Sequence, residues 1–149
     1  MIHTFEIGNI PAVLYGSSSA GVYLYVHGQH SCKEAARSFA SVAYEKGWQV
    51  LSIDLPEHGE RKLEKNHFFA WEVIPELIQL LNFAKAHWTQ STDILFCEKD
   101  NFTSLNTVTR FASNNQCRLT SIKNGEHWFH AEEQLTALNK WTIEVTPRL

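Results

Sequence analysis

The chain has 149 residues, 44% of them hydrophobic and 19% charged, with a net charge of −3. That suits one globular domain with one core, and the 13 scattered Lys and Arg leave no electrostatic footprint for nucleic acid. No apolar run approaches the roughly 20 residues of a membrane helix. The start "MIHTFEIGNIPAVLY" lacks the basic and apolar regions of a secretion signal. Cys32, Cys97 and Cys117 match neither a zinc pattern nor a disulfide framework, so a cytoplasmic protein with no nucleic-acid or membrane partner is expected.

"HTFEI" and "PAVLY" read as two short strands around a Gly8-Asn9 turn. "GSSSAG" (16–21) reads as a second hairpin turn, leading into "VYLYV" (22–26), a continuous apolar run expected of a strand buried on both faces. Ser31 and Glu34 have the spacing of a capping box, with Ala35, Phe39, Val42 and Ala43 on one helical face and Gly47 as a left-handed stop. "WQVLSID" (48–54) is a strand and "LPEHGERK" (55–62) a polar loop. The stretch 71–88 is the longest helix, with Val73, Ile74, Leu77, Leu80, Leu81, Ala84 and Trp88 as its apolar stripe. Pro75 is tolerated only in a first turn, which predicts a start near residue 73. "TDILFC" (92–97) and "CRLTSI" (117–122) are strands. Leu105, Val108, Phe111 and Ala112 mark one helix, and Leu135, Leu138 and Trp141 mark the last.

This alternation predicts an α/β fold: a mostly parallel sheet of about six strands with helices on both faces, in one domain over 1–149. Ligands in such sheets bind beyond the carboxyl ends of the strands, so chemistry belongs just after residues 26, 54, 97 and 122. After the first comes His27-Gly28-Gln29-His30. Gly28 would allow a sharp turn, and the N–H of Gln29, with that of His30, would face the site. One such donor to a developing oxyanion is worth about 3 kcal/mol, although a plain turn with surface histidines fits the same residues. After the second comes Asp54 to Gly59, where Asp54 can cap loop N–H groups and His58 can be a ligand, a base or part of a rigid loop. Asp100 after the third can orient an imidazole or start a turn. His127 after the fourth sits in an Asn-Gly loop, and an Asp–His pair at neighbouring strand ends would fix the imidazole tautomer and raise its basicity.

Together "YVHGQ", "DLPEHGER", "FCEKDNFTS" and "NGEHWFHAEEQL" resemble the α/β-hydrolase superfamily of serine esterases and lipases, over roughly 20–62 and 92–142. The resemblance implies a reduced α/β-hydrolase-like core without a cap. It makes Asp100 the orienting acid, His127 the base, and Gly28-Gln29 the oxyanion loop with the Gln29 N–H as donor. Glu57 stands where the family commonly has Gly. The large departure is central. The family's nucleophile sits on Gly-x-Ser-x-Gly between a strand and a helix. Such a strand–helix–strand unit needs about 30 residues, while only a few separate the 71–88 helix from the strand at 92–97.

No substitute nucleophile stands out. Ser17–Ser19 lie in a turn before a strand, Ser91 lies at the start of a strand, and Cys97 ends a strand. Cys32 falls in the first turn of a helix, where the dipole lowers a thiol's pKa. His27, His30, His58, His127 and His130 can converge but lack HExxH-like spacing, so neither a metal nor a cofactor is expected. The resemblance implies hydrolysis of carboxylic esters or related acyl substrates, weak or lost without the serine. The alternative is a non-catalytic module that binds a small acyl or ester ligand or self-associates, for instance as a homodimer.

Overall fold

Gly8, at φ 64°, turns the chain between β1 (Ile2–Ile7) and β2 (Ile10–Tyr15), which pair antiparallel with Ile7 opposite Ile10. This computed structural model describes residues 1–65, 68–88, 92–101, 103–126 and 131–145. The next link, 16–21, is not a hairpin. β2 pairs antiparallel with β4 (Gln49–Ile53), and β3 (Val22–Val26) pairs parallel with β4 on its far side, in the order β1-β2-β4-β3. The link therefore steps past the end of β4. Gly21 makes this fit, because a Cβ there would come within 2.3 Å of the Trp48 ring. Gln49 anchors the passage: its N–H donates to the Gly21 carbonyl at 3.2 Å, and its Oε1 accepts from the Ser19 N–H at 3.3 Å and from Trp88 Nε1 at 3.1 Å. β4 is the strand buried throughout, whereas β3 is an edge strand of intermediate burial with Val26 exposed. Apolar content alone does not distinguish a central strand from an edge.

The sheet alternates its side chains between two layers. One face gathers Ile10, Ala12, Leu51 and Ile53 against Leu80 of α2 (Ala70–His87), with Val73 and Leu77 partly buried beside it. The other gathers Val13, Tyr15 and Val50 against Ala36, Ala40 and Ala43. Those alanines lie on a 3-10 turn, Lys33–Ala36, that runs into α1 (Arg37–Glu45). The predicted face of α1 is thus corrected: Phe39 and Val42 are exposed, and the buried stripe is Lys33, Ala36, Ala40 and Ala43. The capping box is also absent. Cys32 is the N-cap residue of the 3-10 turn and no side chain caps it. At the other end, Gly47 at φ 77° stops α1 as expected, with N–H bonds from Gly47 to Tyr44 and from Trp48 to Ala43. α2 starts earlier than predicted, so Pro75 lies inside it. Pro75 and Trp71, whose carbonyl loses its N–H partner, are both exposed, and water can satisfy that carbonyl.

The chain divides into two compact units, Met1–Gln90 and Ser91–Leu149. In the second, β5 (Asp93–Cys97) and β6 (Arg118–Ile122) pair parallel, with α3 (Leu105–Asn114) between them in sequence and α4 (Glu132–Val145) following. Ser104 caps α3 by accepting the Thr107 N–H at 3.2 Å. In place of the expected six-stranded, mostly parallel sheet there is a mixed four-stranded sheet and a separate parallel pair. The β1–β2 hairpin makes the first sheet mixed, and β4 and β5, the strands flanking α2, belong to different sheets.

At the carboxyl end of β4, Asp54 is fully buried and meets Lys33, which is 1% exposed. The Lys33 ammonium donates to Asp54 Oδ2 at 2.7 Å, and the Lys33 N–H donates to Oδ1 at 2.7 Å. The Glu60 N–H donates to Oδ2 at 3.1 Å. Glu60 and Glu34 complete the ammonium's shell. Burial by itself would push the Asp54 carboxyl up, but the Lys33 ammonium and the two N–H donors hold it below the usual aspartate range. Burial likewise opposes the Lys33 charge, and the bonds to Asp54, Glu60 and Glu34 outweigh it, holding the ammonium above the usual lysine range.

Lys33→Met strands a buried carboxylate and should lower stability by about 3–5 kcal/mol in urea unfolding. The double variant with Asp54→Leu should recover part of that loss. The Asp54 contribution is whole above about pH 3.9 and lost as pH falls through its lowered folded value. The Lys33 contribution is whole below about pH 10.4 and lost as pH rises through its raised one. The pair's contribution should therefore be flat between those limits, and Asp54→Asn should reduce the acid-side slope. Separately, the Ser52 hydroxyl is buried in β4 with no hydrogen-bond partner among the described residues. Ser52→Ala should be neutral or stabilising by up to about 1 kcal/mol in the same assay.

Candidate functional site

The first loop follows β3. His27 is buried, whereas Gly28, Gln29 and His30 are exposed. Gly28 has open space around its Cβ position and no left-handed φ, so it is not the turning point. His30 is, at φ 61°. Two N–H groups were expected to face a site here. The His30 N–H is taken by His58 Nε2 at 3.0 Å. The Gln29 N–H has no hydrogen-bond partner among the described residues.

The second loop is not the solvent-facing polar segment its composition suggests. Leu55, Pro56 and His58 are buried. Asp54 caps N–H groups as expected. Gly59, at φ 53°, leaves the space this needs, since a Cβ there would lie 2.1 Å from Asp54 Oδ1. Glu57 also adopts a left-handed φ, 66°, the conformation for which glycine is favoured. His58 uses both nitrogens inside the loops: Nδ1 to the Pro56 carbonyl at 2.7 Å, and Nε2 to His30. That leaves neither nitrogen for a metal or a substrate. Arg61 donates to both oxygens of Glu64, both oxygens of Glu76 and the Asp54 carbonyl, which occupies all five of its N–H groups. The Glu76 carboxylate, aided by Glu64 and against the effect of burial, holds this guanidinium above its ordinary range.

In the second unit, the loops after β5 and β6 are tied to each other by backbone bonds. The Glu98 N–H donates to the Ile122 carbonyl at 3.1 Å, and the Lys99 N–H donates to Gly125 at 2.9 Å. Asp100 thus follows a loop fastened to the one that leads into position 127. Asp100 Oδ1 accepts the Thr103 N–H at 3.3 Å, a turn-forming contact. His127, His130 and Ser91 lie outside the described residues. Gly125 packs against Cys97, where a Cβ would come 2.7 Å from Sγ.

Cys32 and Cys97 are poorly placed to act as nucleophiles. Cys32 was expected in a first helical turn with a lowered pKa. It precedes that turn, and its hydrogen bond with Glu34, followed by burial, pushes the thiol up. Burial, and then the charge of Asp100, does the same for Cys97. Ser17–Ser19 belong to the link past β4. No group of three or more His, Cys, Asp or Glu among the described residues is arranged to hold a metal, and no described helix is long and apolar enough to cross a membrane. Sequence reasoning missed Lys33, Arg61 and Glu76. For Lys33 the signal was present: it continues the Ala36, Ala40, Ala43 stripe by helical spacing.

No protein-family model matches the chain, and no curated protein matches it. Solved structures do. A cold-adapted esterase from an Arctic intertidal metagenomic library, in a PEG-bound complex, is 16% identical, with 98% of this chain and 93% of that one covered and a TM-score of 0.55. Thermogutta terrifontis esterase 2, phosphorylated by paraoxon, is 8% identical, with 99% and 96% covered and a TM-score of 0.56. MGS-M1, an α/β hydrolase enzyme from a Medee basin deep-sea metagenome library, is 9% identical, with 98% of each chain covered and a TM-score of 0.51. The chain has an α/β-hydrolase-like fold.

Proposed function

We propose that the chain is a reduced, α/β-hydrolase-type protein that binds carboxylic esters or related acyl compounds and hydrolyses them weakly or not at all. Asp100 orients His127, and His127 acts as a base on water; in the first unit, the Gln29 N–H is a donor for an anionic oxygen. The observation that best supports this is the backbone tie between the loops after β5 and β6, because it brings the Asp100 loop beside the chain that continues to His127. The nucleophile segment is missing in this reading: α2 ends at His87 and β5 begins at Asp93. In serine hydrolases, removing catalytic residues costs up to about 10⁶-fold in turnover and leaves about 10³–10⁴ over water. Turnover of p-nitrophenyl butyrate by the purified chain should fall at or below that residual, and His127→Ala should remove what is left. Equal rates for the two proteins would take His127 out of the mechanism.

Self-association is the second reading, favoured by Val26, which ends the edge strand β3 and is 44% exposed. An unpaired strand edge is a template for another chain. Sedimentation velocity should then show a dimer that Val26→Lys dissociates, and a strict monomer at high concentration would sink the idea.

A further inference from the structure

His27 and His58 have no part in the chemistry above, yet both rings are buried at the ends of β3 and β4. The Leu55 N–H donates to His27 Nε2 at 3.1 Å, and the His30 N–H donates to His58 Nε2 at 3.0 Å. These bonds run in opposite directions between the same two loops: each loop sends a ring to accept an N–H of the other. The remaining ring nitrogens face carbonyls of their own loops, His27 Nδ1 with Gly28 at 2.8 Å and His58 Nδ1 with Pro56 at 2.7 Å. An amide N–H can only donate and a carbonyl can only accept, so both rings are neutral and carry their proton on Nδ1. The rings are tilted at 49° to each other, 5.1 Å between centroids, and the Phe68 ring lies 4.8 Å from His58.

Gln29 lies between the two attachment points, with His27 bonded on one side and His30 on the other. We infer that His27 and His58 are positioning residues: together they form a reciprocal latch that sets the direction of the Gln29 N–H. The left-handed backbone of His30 supports this, since an uncommon conformation for a side-chain-bearing residue persists only where its surroundings over-determine it. Plain packing of the two rings would not require an N–H acceptor at Nε2. The inference rests on the proposed function only for the use of Gln29 as an anion donor. The latch itself consists of four hydrogen bonds that can be measured without any activity.

The test is NMR on the 149-residue chain. In the wild type, long-range ¹H–¹⁵N spectra should show the Nδ1–H form for both His27 and His58. His58→Leu removes the acceptor, and amide exchange at His30 should rise by about tenfold or more with a shift at the Gln29 amide, while β4 amides stay protected. His58→Gln places an oxygen near the Nε2 position and should restore both signals. Either ring in the Nε2–H form, or Gln and Leu variants that behave alike at His30 and Gln29, overturns the latch. If the Leu variant does not fold, the wild-type tautomers and the Gln variant decide. Titration with butyrate then separates the two claims. A latch that passes while the Gln29 amide ignores butyrate counts against the ester reading alone. A Gln29 amide that responds to butyrate in a chain whose rings are Nε2–H counts against the latch alone.

Discussion

A lysine and an aspartate buried together at the end of β4 organise the first unit. Asp54 accepts from the Lys33 ammonium, the Lys33 N–H and the Glu60 N–H, so one carboxylate joins the start of the α1 segment to the loop after β4. Both charges have left water, and their bond to each other, the two N–H donors on Asp54 and the carboxylates of Glu34 and Glu60 around Lys33 make that tolerable. The neighbouring loops inherit their order from this. Gly59 must lack a side chain because the carboxylate fills the space, and Arg61, turned back to the Asp54 carbonyl, fastens the loop to α2 through Glu76. The result is a rigid platform beneath the exposed 28–30 segment.

That rigidity also separates support from chemistry. Lys33, Asp54, Arg61, Glu76, His27 and His58 are all engaged with protein atoms, so they build the loops at this end of the first unit. Among the described residues at that sheet edge, the Gln29 N–H has no hydrogen-bond partner. The thiols of Cys32 and Cys97 are both pushed up, away from the reactive thiolate. The low identity to esterases of the same fold is consistent with a scaffold conserved in backbone more than in side chains.

Much of the fold was legible in the sequence because local rules dominate there. The Gly8-Asn9 hairpin, the Gly47 stop, and the β5–α3–β6–α4 succession follow from turn residues and periodicity. Strand order was not legible. Nothing local in "GSSSAG" says that β4 will insert between β2 and β3, since that depends on pairing with a segment far along the chain. The capping box failed because Lys33 is drawn inward by Asp54, and the chain enters its helix through a 3-10 turn with Cys32 extended. Lys33 itself was overlooked because a lysine on an apolar stripe reads as an interruption. Only the buried carboxylate, contributed from another strand, makes it part of the core. At the strand ends, the turn is at His30, not Gly28, and of the roles open to His58 the structure shows the rigid-loop one.

The ties between the loops after β5 and β6 are made by main-chain groups. Such bonds are indifferent to which side chains stand at Glu98, Lys99 or Lys123, so mutation there can drift without displacing the loops. Asn124, at a left-handed φ of 61°, and Gly125, held to glycine by the Cys97 sulfur, are more restricted. Loops fastened by peptide groups keep their spacing whichever side chains they carry, so the ends of β5 and β6 stay in register while the residues displayed there change.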